Sequence, residues 1–181
     1  THTDSSQKKM KNKFIILMLI SALFQVSCVK EKLEATYNKQ EEKINSYIES
    51  ALENDDTYTK VNQNGSNRLT KVQGEGEELK ADGNITFYYA GYIFEGSVSA
   101  SNLFMTNHET TANDSGWSGV ETDFEALTLN LKEDSLLPGL RNGLLGVKAG
   151  EECEILFSGK YGYGDTTFGI IPANSALLYK I

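Results

Sequence analysis

Residues 136–181 read LLPGLRNGLLGVKAGEECEILFSGKYGYGDTTFGIIPANSALLYKI, and the order of parts in this stretch decides the fold. Pro138 fits the first turn of a short helix, because its ring presets φ and its missing N–H would have no partner there. Leu140, Leu144 and Leu145 form the inward face of that helix, Gly146 ends it, and a turn follows at Lys148–Gly150. Cys153, Ile155 and Phe157 alternate, which places them on one face of a strand. Cys153 is therefore a buried, inert thiol, with no base beside it in the chain. A glycine- and tyrosine-rich loop, Tyr161-Gly162-Tyr163-Gly164-Asp165, then leads through Ile170-Ile171-Pro172 into a last apolar strand. A channel filter would need membrane-spanning pore helices around that loop, and a phosphate loop would need Lys-Ser/Thr after its glycines; neither is present.

Upstream, Asn84–Glu95 (NITFYYAGYIFE) reads as a strand with Ile85, Phe87 and Tyr89 on one face and Thr86 and Tyr88 on the other. Asn64-Gly65, between Tyr58–Val61 and Arg68–Val72, is a hairpin turn in which both central residues take positive φ. Gly74–Glu78 is a loop and Ala81-Asp82-Gly83 a turn. Leu127, Leu129 and Leu131 alternate as in a half-buried strand. The polar stretch 106–123 lacks periodicity and reads as a long insertion loop. Its Trp117 either folds back on the domain or awaits a partner, and its His108 is a solvated loop residue. Ile44, Tyr47, Ile48 and Ala51 follow helical spacing, so an amphipathic helix is expected from about Lys39. Its stripe either packs on the domain or serves as a dimerisation arm over 39–53.

The chain has 181 residues, 39% hydrophobic and 23% charged, enough for a core of one ordinary domain. The net charge of −8 makes nucleic acid an unsuitable partner. Two histidines without ligand neighbours imply no zinc site. Met10 begins a leader: Lys11 and Lys13 precede an apolar run from Phe14 to Phe24, too short to span a bilayer. Residues 1–9 precede this expected start. The run ends in Gln25-Val26-Ser27-Cys28, which resembles a bacterial lipoprotein lipobox and implies lipidation of Cys28. Val29-Lys30-Glu31 behind it resembles the surface-export signal of Bacteroidetes lipoproteins. Removing residues 1–27 takes four of 17 basic residues (Lys8, Lys9, Lys11, Lys13) and one of 25 acidic ones (Asp4), leaving 13 against 24, a charge of −11. The divisions expected are a leader over 1–28, a tether and helix over 29–57, and a folded domain over 58–181.

Taken together, Tyr89-Ala90-Gly91, Phe94-Glu95-Gly96, Phe104, Leu136-Leu137-Pro138-Gly139 and the Tyr161–Pro172 loop resemble the FKBP-type peptidyl-prolyl isomerases over about 58–181. The resemblance implies an α+β fold: a five- or six-stranded twisted antiparallel sheet half-wrapped around the 138–145 helix, here with an extra N-terminal amphipathic helix. It implies a proline pocket in which Tyr89, Phe104, Leu137, Tyr163 and Tyr179 act and Leu127, Leu136, Leu140, Phe168 and Ile171 bind substrate. A backbone N–H beside Leu136-Leu137 would hold a substrate carbonyl, and the Tyr163 hydroxyl would donate a hydrogen bond. Two positions depart from the pattern: Met105 stands where the family often has Asp, and Leu140 where it often has Trp. The implied function is proline isomerisation in the cell envelope, on proline-containing chains, with no cofactor. The alternative is a non-catalytic peptide-binding module that uses the same groove or the Trp117 loop.

Overall fold

The Asn64-Gly65 turn takes φ of 49° and 81° and joins β1 (Thr59–Gln63) to β2 (Ser66–Val72), with Gln63 opposite Ser66. The expected hairpin is therefore present. The structure, a computed structural model, describes residues 29–119 and 124–181. The leader, Cys28 and the 120–123 part of the insertion lie outside the described residues. Lys39–Ile181 form a compact unit, and the described residues 29–38 belong to another. The backbone is helical over 29–54, labelled α1.

The main sheet has six strands, all antiparallel to their neighbours, in the order β1-β2-β7-β8-β4-β5. Its remaining strands are β4 (Ala90–Ile93), β5 (Leu103–Thr106), β7 (Glu152–Phe157) and β8 (Leu177–Lys180). A separate ribbon pairs β3 (Asn84–Phe87) with β6 (Leu127–Asn130). The expected single strand over 84–95 is thus two strands in two sheets. One side chain bridges the point of division. Asn107 accepts the Tyr89 N–H at 2.6 Å and donates to the carbonyls of Phe87 and Glu125 at 3.2 and 2.9 Å. These bonds satisfy the backbone where the chain leaves one sheet for the other.

Helix α3 (Pro138–Leu144) lies on one face of the sheet. It buries Gly139, Leu140, Gly143 and Leu144 against β7 and β2, while Leu145 is only half-buried. Its two buried glycines set the approach. A Cβ on Gly139 would stand 2.1 Å from Phe157 Cγ, and one on Gly143 2.1 Å from Ile155 Cγ2. The carbonyls at the helix C-terminus are capped from the sheet: Arg68 donates to Gly143 and Leu145, and Gln63 donates to Leu145.

The opposite face is apolar too, which is why β7 is buried at every position after Glu152. Ile44 and Ile48 of α1 are fully buried there with Leu69, Tyr92, Leu156 and Leu178. The helical stripe read from Ile44, Tyr47, Ile48 and Ala51 is spent on the protein's own sheet. Beneath it, the buried Glu154 accepts from the Tyr47 hydroxyl at 2.8 Å and from Lys71 Nζ at 2.7 Å. Burying a carboxylate is unfavourable unless such donors replace water. The 106–123 insertion also contains a helix, α2 (Glu109–Ser115), that its polar sequence did not announce; it buries only Ala112. Among the described residues, no helix is long and apolar enough to cross a membrane.

Candidate active site

Tyr179 on β8 is the hub. Its ring lies 6.0 Å from Phe157, 5.8 Å from Phe104 and 6.4 Å from Tyr89, centroid to centroid. The three partners come from β7, from β5 and from the link between β3 and β4. Gly91, directly across from Tyr179 on β4, makes the room: a Cβ there would fall 2.6 Å from Phe104 and 3.1 Å from Tyr179. Leu140 and Ile171 are buried in the same core cluster, and Leu136, Leu137 and Tyr163 pack against it half-buried. Leu137 is the N-cap of α3 and Pro138 its first residue. Amides at that end have no acceptor within the helix, so the backbone there is free to receive a carbonyl.

The loop after β7 brings the fourth wall. Phe168 and Ile171 exchange backbone hydrogen bonds across Gly169, which takes φ of 55°. The turn presents Phe168, 49% exposed, and Ile170, 65% exposed, at the rim. The Phe168 ring stacks on Tyr163. Beside this stack opens a cavity of about 500 Å³, lined among others by Tyr89, Phe104, Met105, Asn107, Trp117 and Ile171. A larger groove of about 820 Å³ follows α1, but its walls are Lys39, Glu42, Lys43 and other mostly polar residues. The apolar cavity is the better receptor for a proline ring and its neighbours.

The tyrosines are electrostatically quiet. Burial pushes the Tyr163 hydroxyl above its usual range. Tyr89 is raised by burial and then by the charge Tyr163 would carry; Tyr179 is raised by burial and then by Tyr163 and Tyr89. All three remain neutral hydrogen-bonding groups at physiological pH. Cys153 is buried and pushed up to about 12, chiefly by burial, so it is no nucleophile. Among the described residues, no group of His, Cys, Asp and Glu gathers that could hold a metal ion.

Of the ten residues expected at the site, eight belong to or pack against one core cluster and Phe168 stacks on Tyr163; four of these nine, Tyr89, Phe104, Phe168 and Ile171, line the cavity. Leu127 does not join them: it sits at the end of β6, 40% exposed, and does not line the cavity. Leu129 and Leu131 carry the buried face of that segment. Met105, 40% exposed, puts a thioether chain on the cavity wall where the family often has a carboxylate. Trp117 folds back and lines the cavity. Its packing and the clamp made by Asn107 were not legible, because both depend on contacts across the insertion.

The FKBP-type peptidyl-prolyl cis-trans isomerase family model matches residues 75–181, more than half of the chain. The chain therefore belongs to that family. It is 24% identical to FK506-binding protein 1 of Aspergillus oryzae over 117 residues, 65% of this chain and 94% of the fungal one. The crystal structure of FkpA from Escherichia coli superposes with a TM-score of 0.53 at 21% identity, covering 83% of this chain and 61% of FkpA. The three FKBP domains of wheat FKBP73 give 0.50 at 20% identity, covering 68% of this chain and 46% of that one. The fold is thus FKBP-like, and the chain spans less than two thirds of either solved structure.

Proposed function

We propose that the protein is a peptidyl-prolyl cis–trans isomerase of the cell envelope, carried on a lipid at Cys28, that accelerates folding of proline-containing polypeptides. The single observation that carries the reading is the aromatic cradle: Tyr89, Phe104 and Tyr163 around Tyr179, with Leu136 and Leu137 at the start of α3. Rotation about an X–Pro bond crosses a barrier of about 18–20 kcal/mol because amide resonance is lost. The twisted amide is less dipolar than the planar one, so a dry, neutral pocket favours it relative to water. Neutral hydroxyl donors and the amides at the start of α3 hold the flanking carbonyls in the twisted geometry. Catalysis is then differential binding of the transition state, with no proton transfer, nucleophile or metal. The envelope assignment rests on the lipobox-like Gln25–Cys28 and the Val29-Lys30-Glu31 that follows it.

A second reading is a module that holds peptide without turning it over. Met105 in the wall and Phe168 stacked over Tyr163 favour it, since both supply adhesive apolar surface rather than polar orientation. Tyr163→Phe separates the two. Isomerisation kinetics of a short X–Pro peptide show a lower rate for the variant in the first reading. In the second, only the affinity changes.

A further inference from the structure

The loop that carries Tyr163, Phe168 and Ile171 is closed at its base by a side chain from α1. Gln40 donates from Nε2 to the Asn174 carbonyl at 2.6 Å and accepts the Gly159 N–H on Oε1 at 2.9 Å. Gly159 and Asn174 are the two stems of the loop, just after β7 and just before β8. The stems touch: a Cβ on Gly159 would lie 2.5 Å from the Asn174 carbonyl carbon, and Asn174 takes φ of 60°. Inside the loop, Gly164 donates to the Gly159 carbonyl, and Asn174 donates to that of Gly164. At the base the Gly159 N–H donor and the Asn174 carbonyl acceptor both face Gln40. A side-chain amide offers the matching acceptor and donor side by side, and only one of its two orientations fits.

We infer that Gln40 is a positioning residue for the pocket. It locks both stems at once, and so makes the seating of the 39–54 part of α1 a condition for the placement of Tyr163 and Phe168. The effect on turnover rests on the isomerase reading; the effect on the loop rests on the hydrogen bonds alone.

The test compares the full-length chain with Gln40→Ala and Gln40→Glu, by hydrogen exchange and by isomerisation of an X–Pro peptide. Glutamate keeps the shape and can still accept from Gly159. Its second oxygen, when ionised, faces the Asn174 carbonyl with no proton to give. Amides over 159–174 are expected to exchange about tenfold faster in both variants, the effect of losing one or two neutral hydrogen bonds, while β2 and β7 are unchanged. The peptide kcat/KM falls by a similar factor. In Gln40→Glu alone it recovers as the pH drops through the carboxyl range, where the protonated side chain donates again. Unchanged loop exchange overturns the inference. So does exchange that rises equally across the sheet, or a deficit in Gln40→Glu that ignores pH and matches Gln40→Ala. If the unaltered chain turns over no peptide, the isomerase reading fails, while faster exchange confined to the loop still supports the clip.

Discussion

The ring of Phe168 lies parallel to that of Tyr163, 7° from coplanar with centroids 4.6 Å apart. A half-exposed side chain therefore roofs one face of the residue expected to donate a hydroxyl to substrate. Stacked aromatic pairs contribute about 0.5–1.5 kcal/mol beyond the area they bury. Phe168→Ala removes both the stack and one wall of the pocket. KM for an X–Pro peptide should rise about three- to tenfold with kcat within twofold, as expected for loss of uniform binding. A fall confined to kcat would instead make Phe168 part of transition-state stabilisation.

Trp117 is the only tryptophan of the chain, and it lines the same cavity as Tyr89 and Phe104. Its fluorescence is a built-in reporter. Titration with a proline peptide should change the emission, with half-saturation near the KM measured by turnover. Trp117→Ala should weaken binding by on the order of 1–2 kcal/mol, as for an aromatic wall of a binding site. An emission spectrum unaffected by saturating peptide would place the bound chain away from the insertion.

Gly139 and Gly143 are where the helix meets the sheet most closely. Gly139→Ala must displace the fully buried Phe157 ring or lift α3. Overpacking typically costs about 1–3 kcal/mol, and an approach this close belongs at the upper end, about 3 kcal/mol. At about 2–4 °C per kcal/mol, calorimetry should register a Tm lower by roughly 6–12 °C. A Tm within about 2 °C of the unaltered chain would mean that the helix moves away freely.

The buried hydroxyls and thiol make stability fall in alkali. Tyr179 is raised above its usual range, chiefly by burial, and Cys153 is pushed up to about 12 for the same reason. Tyr47 is raised by burial and then by Glu154. In the unfolded chain these groups release protons near pH 8.5–10, while the folded state retains them. The unfolded state then binds fewer protons, so ΔG of unfolding decreases by up to about 1.4 kcal/mol per pH unit for each buried group. Urea midpoints should be level near neutrality and drop from about pH 9 upward. Cys153→Ala should flatten the first part of the drop. A midpoint constant to pH 11 would contradict the burial of these side chains.

Much of this architecture is local and therefore legible in the sequence. Asn64-Gly65 dictates its hairpin, Pro138 starts its helix, and the alternation of Cys153, Ile155 and Phe157 is visible without any structure. The stripe at Ile44, Tyr47 and Ile48 announces a helix, though not which surface it covers; that depends on Leu69, Leu156 and Leu178 facing away from α3. The clustering of Tyr89, Phe104, Tyr163 and Tyr179 was expected from the resemblance of the motifs that carry them, taken in order. What stayed hidden is non-local. Asn107 bridges the division of the 84–95 segment between two sheets through bonds to residues 18 to 20 positions away. Helix α2 has no apolar period to reveal it, and Leu127 sits past the edge of the core its alternation points toward. Gln40 lies 134 positions from the Asn174 carbonyl it holds, and no pattern in the chain links them.

The central claim is that the Tyr89–Tyr179 cradle turns over X–Pro bonds. Exchange NMR on a short X–Pro peptide, with the chain over residues 29–181, tests it most directly. The account expects cis–trans exchange accelerated well beyond the spontaneous rate, which runs over tens to hundreds of seconds. Leu137→Ala and Tyr163→Ala should each reduce that acceleration at least tenfold. A folded protein that accelerates no peptide, whatever residue precedes the proline, would contradict it and leave the cradle as a binding surface.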